Sequence, residues 1–216
     1  MQVRGRFITL EGGEGVGKTT LAQALSARLG ELGVETVLTR EPGGCPSAEA
    51  LREILYGPDS PHWSPAPETL LLYAARAAHL DETIRPALTR GAWVICDRFN
   101  DSTLAYQGML GAIDTSILST LANFVIRSDQ PDLTFMLDLD PTLARSRAEQ
   151  RGEYLSRYDR SAPEFHQKLR DAFRSIAAAH PDRCTVLDAS RQPDALAHEA
   201  FQIVQSRFGL KTSDAK

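Results

Sequence analysis

Gly12, Gly13, Glu14, Gly15, Val16, Gly17, Lys18 and Thr19 spell GxxxxGK[ST], set between an apolar run, Arg6 to Glu11, and the helical pattern LAQALSARL. Residues of these types in this order suit one task, the holding of a phosphate chain. Glycines let the backbone curl until successive N–H groups converge on phosphate oxygens, a lysine supplies a mobile positive charge, and a threonine hydroxyl can ligate magnesium. A helix starting at that point adds unpaired N–H groups and the positive end of its dipole, with Thr20 in its first turn. The plainer alternative is a Gly-rich turn that joins a strand to a helix. At ordinary residue frequencies the full pattern arises by chance in well under about 1% of chains this long. The implied ligands are a nucleoside triphosphate and Mg2+.

Other residues suit the same chemistry. Asp97, Arg98 and Phe99 follow the run WVIC, where an acid can hold magnesium through water and an arginine can face a phosphate. Alone, the triplet is better explained by Asp97 capping the next helix and Arg98 pairing on the surface; beside the phosphate loop, the functional reading leads. Next come Ser102, Thr103, Tyr106 and Gln107, all able to hydrogen-bond a base or sugar and all equally able to cap and pack a helix. In TLLLYAARAAHL, Arg76 lies within an apolar helical pattern, with Leu72 one turn earlier on the same face. It either snorkels to solvent or lines a cleft and reads a polar ligand edge. Between Pro141 and Arg160 stand Arg145, Arg147, Arg151, Arg157 and Arg160 among acidic residues. Such a run is by default a solvated helical face. A phosphoryl-transfer enzyme also needs cations brought in as water is excluded, and Arg147 and Arg151, four residues apart, share one helical face. The histidines form no metal-ligand or nucleophile pattern.

The elements that must position these groups alternate. Five short apolar runs, FITLE, VETVLTR, WVICD, LTFMLDL and TVLD, read as strands. Between and after them, helical patterns cover about 18–29, 47–56, 67–90, 115–127, 141–151, 162–179 and 193–207. Strands alternating with helices predict an α/β fold, a five-stranded parallel sheet flanked by helices on both faces, with functional residues at the carboxyl ends of the strands. With 216 residues, 42% of them hydrophobic, the whole chain fits one domain; the prolines between Pro58 and Pro67 punctuate a loop within it. A net charge of −4 disfavours a nucleic-acid partner. No run of about 18 apolar residues predicts a membrane span, and no charged segment with a long apolar run predicts a signal peptide. Cys45, Cys96 and Cys184 are odd in number and too widely spaced for a zinc site, which fits reduced thiols in the cytoplasm.

Together, FITLEGGEGVGKTT, LTREPGG, LLLYAARAAHL, VICDRF, STLAYQG, RSRAEQRGE and VLDAS resemble bacterial thymidylate kinases over about Arg6 to Ser190. The resemblance implies a P-loop kinase fold, transfer of the ATP γ-phosphoryl group to dTMP, and a cytoplasmic homodimer. By position it implies Glu14 near the deoxyribose 3′-hydroxyl, Arg98 on the dTMP phosphate, Arg76 facing thymine, Thr103 and Gln107 around the base, and Tyr106 crowding the place of a 2′-hydroxyl. The variable loop positions carry no basic residue. This is similar to the branch of the family whose extra arginines come from a lid, here about residues 141–160. Two departures stand out. Many relatives stack phenylalanine on thymine where this chain has Leu72, with Tyr73 beside it, and YQGMLGA replaces YQGGGRG, removing a loop arginine.

Rival readings are a deoxynucleoside kinase, which wants a carboxylate base beside a 5′-hydroxyl acceptor, and a non-catalytic nucleotide sensor. A GTP switch lacks its NKxD signature here.

Overall fold

The computed structural model describes residues 4–111, 113–150 and 161–210; Ala112, Arg151, Arg157 and Arg160 lie outside the described residues. Strands β1 (Phe7–Glu11), β2 (Thr36–Arg40), β3 (Trp93–Asp97), β4 (Leu133–Asp138) and β5 (Cys184–Asp188) form one sheet in the order β2-β3-β1-β4-β5. Every pairing is parallel. The helices are α1 (Lys18–Glu31), α2 (Pro46–Tyr56), α3 (Pro65–His79), α4 (Arg85–Thr89), α5 (Asn100–Thr103), α6 (Thr115–Val125), α7 (Pro141–Gln150), α8 (Pro163–Ala179) and α9 (Pro193–Phe208). The five expected strands and the α/β class are all present.

All five residues of β1 are buried, as expected of a central parallel strand covered on both faces. Leu25 and Leu29 of α1, with Ala200 and Val204 of α9, close over Ile8 and Leu10 on one face. On the other, Leu80, Leu88 and Leu118 close over Phe7, Val94 and Cys96, and Leu169 and Phe173 of α8 pack on Met136.

Strand alternation then directs the polar ends of β1 and β3. Asp97 shares a face with Trp93 and Ile95, which pack in the cluster under α1; Glu11 shares the opposite face with Phe7. Adjacent strands therefore send one carboxylate toward the phosphate loop and the other toward the chain that follows β3.

Two helical segments differ from the sequence expectation. The helix expected over 67–90 carries a π-helical turn at Leu80–Ile84. Pro86 has no N–H to offer the Glu82 carbonyl one turn back, and the wider turn accommodates that loss. A second π-helical turn, Leu104–Met109, continues α5, so Ser102, Thr103, Tyr106 and Gln107 stand on helical backbone.

Candidate active site

Residues Gly12–Gly17 bridge β1 and α1. Gly17 caps α1 in the left-handed conformation (φ 99°) with no side-chain hydrogen bond, so the first-turn N–H groups are left for an anionic ligand. Gly15 (φ 73°) is required for a second reason: a Cβ there would lie 2.3 Å from the Ala144 carbonyl oxygen, so the base of α7 rests directly on the loop. Lys18 is buried, and its Nζ donates to the carbonyls of Gly13 (2.7 Å) and Gly12 (3.4 Å). Burial, and then the neighbouring Arg98 cation, hold its pKa below that of an ordinary lysine. Thr19 and Thr20 are exposed on the first turn of α1.

Thr19 Oγ1 donates to Asp97 Oδ2 at 3.0 Å. The other carboxylate oxygen, Asp97 Oδ1, is buried with no donor among the described residues. A buried, unpartnered carboxylate oxygen beside a threonine hydroxyl suits a hydrated hard cation, so this pair fits Mg2+.

Arg98 begins the turn after β3 and is one of the few non-glycine residues with positive φ, at 69°. Its Nη1 donates to Gly12 O (3.0 Å) and Ser102 Oγ (3.1 Å), and its Nη2 lies 2.8 Å from Glu14 Oε1. Burial opposes its charge, but Glu14 above all, with Tyr106, Asp97 and Glu11, raises its pKa and keeps it cationic. Arg98 in turn is the main cause that lowers the pKa of Glu14. The carboxylate of Glu14 occupies the guanidinium as a phosphate would.

These groups open onto a cavity of about 630 Å³, within the range of small-molecule sites. Glu14, Arg76, Arg98, Ser102, Tyr106 and Gln107 line it, as does Thr103. Leu72 also faces the cavity, whereas Tyr73 turns into the core and donates to Asn100 Oδ1 (2.9 Å) and Leu118 O (3.1 Å). The aliphatic residue is therefore the one presented to a ligand.

Arg76 does not snorkel: it is 3% exposed. Its Nε donates to Glu41 Oε2 (2.7 Å), Nη2 to Phe99 O and Thr103 Oγ1 (both 3.0 Å), and Nη1 to Asn100 Oδ1 (3.3 Å). One Nη1 hydrogen is left over from these contacts for a ligand edge. Thr103, expected around the base, lines the cavity and accepts from Arg76. Buried His79 completes the network, Nδ1 meeting Glu41 Oε1 (3.0 Å) and Nε2 meeting Thr39 Oγ1 (2.7 Å). Replacing Arg76 with alanine would leave Glu41 buried without its cation. We expect Arg76→Ala to lose about 3–5 kcal/mol of unfolding free energy in urea titrations; a loss below about 1 kcal/mol would assign the pair a surface-like role.

Arg147 is not brought to the phosphate loop. It donates instead to Ala189 O (2.8 Å) and Ser190 O (3.5 Å) in the β5–α9 loop. Its proposed companion, Arg151, lies outside the described residues. Sequence reasoning missed Glu11, Glu41 and Asn100. Glu11 alone carried a signal, being a charged residue at the end of an otherwise apolar strand pattern.

Comparison with known proteins agrees with this geometry. A family model described as "Thymidylate kinase" matches residues 10–200. The thymidylate kinase of Caulobacter vibrioides is 45% identical over 207 residues, covering 96% of this chain and 99% of the relative. That of Chromohalobacter salexigens is 48% identical over 195 residues, covering 89% and 91%. The crystal structure of thymidylate kinase from Ehrlichia chaffeensis matches with a TM-score of 0.77 at 34% identity, over 94% of this chain and 100% of that one. With a phosphate loop, an arginine clamp and a cavity joined in one place, and with likeness along nearly its whole length, the chain belongs to the thymidylate kinase family.

Proposed function

We propose that this chain transfers the γ-phosphoryl group of ATP to dTMP, giving dTDP and ADP for dTTP synthesis. The observation that carries this reading is the convergence on one carbonyl of two cations, one from the start of α1 and one from the turn after β3. Lys18 Nζ lies 3.4 Å and Arg98 Nη1 3.0 Å from Gly12 O, so a donor phosphate on the loop and an acceptor phosphate on Arg98 meet at that point.

The acceptor needs no general base. The second ionisation of a phosphate monoester has a pKa near ~6, so at neutral pH the attacking oxygen is already mostly ionised. This chain's work is alignment and charge. Loop N–H groups and Lys18 hold the donor, Arg98 orients the acceptor phosphate, and Glu14 meets the sugar 3′-hydroxyl. Arg76 and Gln107 face the base, and Tyr106 crowds the 2′ position. Thr19 and Asp97 would hold Mg2+, which when bound would supply charge neutralisation on the transferred group. Arg147 and Arg151 supply further positive charge from the lid, Arg147 by exchanging the carbonyls of Ala189 and Ser190 for phosphate oxygens.

We further read 1–216 as one kinase domain, with the Arg-rich lid at about 141–160. A second copy of the chain is proposed to cover exposed apolar side chains of α3 and α6. Leu70, Ile117 and Phe124 are 56%, 53% and 73% exposed there, and Ile117 and Phe124 lie two turns apart on one face. No described helix is long and apolar enough to cross a membrane, and all three cysteines are free and buried, which supports the cytoplasm.

ADP formation from ATP and Mg2+, measured with a panel of nucleoside monophosphates and with thymidine, tests the reading. dTMP is expected to be the best acceptor. Turnover with thymidine in preference to dTMP would make the chain a nucleoside kinase, and no turnover with any acceptor would leave the sensor.

A further inference from the structure

Glu11 is fully buried, lies outside the cavity lining, and is engaged by the turn that carries Arg98 and by α5, which continues it. Its Oε1 accepts the N–H groups of Phe99 (2.8 Å) and Ser102 (3.3 Å), and its Oε2 accepts the Ser102 hydroxyl at 2.6 Å. Ser102 Oγ in turn accepts from Arg98 Nη1 at 3.1 Å. We propose that Glu11 is a positioning residue for acceptor binding: through Ser102 and the Phe99 amide it fixes the Arg98 turn so that the guanidinium meets the dTMP phosphate. This inference rests on the kinase reading above.

The backbone gives the first reason. Arg98 sits at φ 69°, a conformation that non-glycine residues adopt at some cost and keep only where surrounding contacts over-determine it. The Phe99 and Ser102 amides, tied to one carboxylate, supply such contacts on the next residue and on the helix that follows.

Hydrogen-bond polarity gives the second. An ionised carboxylate only accepts, so it takes the Ser102 hydrogen and leaves the Ser102 lone pairs facing Arg98. A neutral group at Glu11 can donate to Ser102 and turn that hydroxyl around, setting a hydrogen against the guanidinium. The relay therefore requires a charge at a place where burial resists one.

The charged groups around Glu11 come from every element packed on it: Arg98 on the turn, Asp101 on α5, Lys18 on α1, and Arg183 ahead of β5. The buried thiols of Cys96 and Cys184 lie in the same environment. Arg183 is already committed to Asp101, donating to both carboxylate oxygens at 2.7 and 2.8 Å. Burial, followed by the Asp101 charge, pushes the Glu11 pKa up to about 7. An acid whose pKa rises on folding binds protons better folded than unfolded, so its ionisation costs stability as pH rises from the unfolded value through about 7. Removal of that charge is expected not to destabilise the fold.

Steady-state kinetics of Glu11→Gln test the proposal. The variant is expected to melt no lower than the parent, to raise KM for dTMP by about tenfold or more, and to keep KM for ATP within about twofold, effects of the size of one lost charge-assisted hydrogen bond. In the parent, KM for dTMP should rise as pH falls through about 7; in Glu11→Gln only the substrate's own titration near ~6 should remain. A double variant with Ser102→Ala should be no worse for dTMP than the worse single variant. Equal rises in both KM values, an unchanged KM for dTMP, additive single effects, or an unchanged pH profile would each overturn the role. Should the variant fold poorly, Glu11→Asp restores an acceptor-only carboxylate one methylene farther away, and must recover part of the dTMP affinity for the proposal to stand. If the parent chain itself does not turn over dTMP, the kinase reading fails instead.

Discussion

Lys18→Met is expected to lower kcat by about 10²–10³, the range for loss of one preorganised donor to developing charge. Methionine keeps most of the apolar stem but brings no charge. In this structure the ammonium is held against two loop carbonyls, with Arg98 nearby and little water around it. Phosphate oxygens offer it a better partner than those carbonyls, so its interaction grows as the donor binds and transfers its charge. The fold should not suffer. A lysine whose pKa is depressed by burial costs stability that is lost as pH falls from its unfolded value through its folded one, and removing it lifts whatever part of that cost is present at neutral pH. Single-turnover measurement of dTDP formation, paired with a thermal melt, separates the two effects. A rate within about tenfold of the parent, below the range for such donors, would mean that Lys18 only binds ATP.

The second large effect is expected at Arg98. Arg98→Ala should lower kcat/KM for dTMP by about 10³ or more, as loss of a phosphate-facing arginine does in related transfers. KM for ATP should change little, because the loop carbonyl it contacts belongs to a turn held by glycine geometry and by α1. Arg98→Lys is expected to recover less than tenfold of that loss. The guanidinium spans Gly12 O, Ser102 Oγ and Glu14 Oε1 at once, and a single ammonium cannot reproduce that planar fork. An Arg98→Lys variant with near-parent activity would show that only point charge is needed.

What the chain order disclosed and what it concealed follow from the reach of each interaction. The phosphate loop was legible because its function is local: eight consecutive residues between a strand and a helix carry it whole. The DRF triplet was half legible, since its meaning depended on β3 lying beside β1, which alternation of strands and helices suggested but did not order. Arg76 taken by its own spacing is balanced between two readings, and only the family resemblance turns it toward the base. Glu41, Phe99, Asn100 and Thr103 are 35, 23, 24 and 27 residues away, and no spacing rule connects them. Glu11 was passed over for the same reason, its partners lying 88 and 91 residues along the chain. Arg147 was well placed on its helix by spacing, but spacing gives a face and not the neighbour that the face meets. The π-helical turn before Pro86 and the one after α5 depend on hydrogen-bond choices that hydrophobic periodicity does not record.

The pairing of Leu10 with Asp97 in the β1–β3 register bears on how the enzyme handles distance. The ATP loop leaves one of these strands and the acceptor clamp leaves the other, and Arg98 N–H is itself bonded to Leu10 O at 2.9 Å. Neighbouring strands hold a fixed gauge of about 4.8 Å, set by backbone geometry and indifferent to side-chain motion. The span across which a phosphoryl group travels is thus calibrated by the sheet.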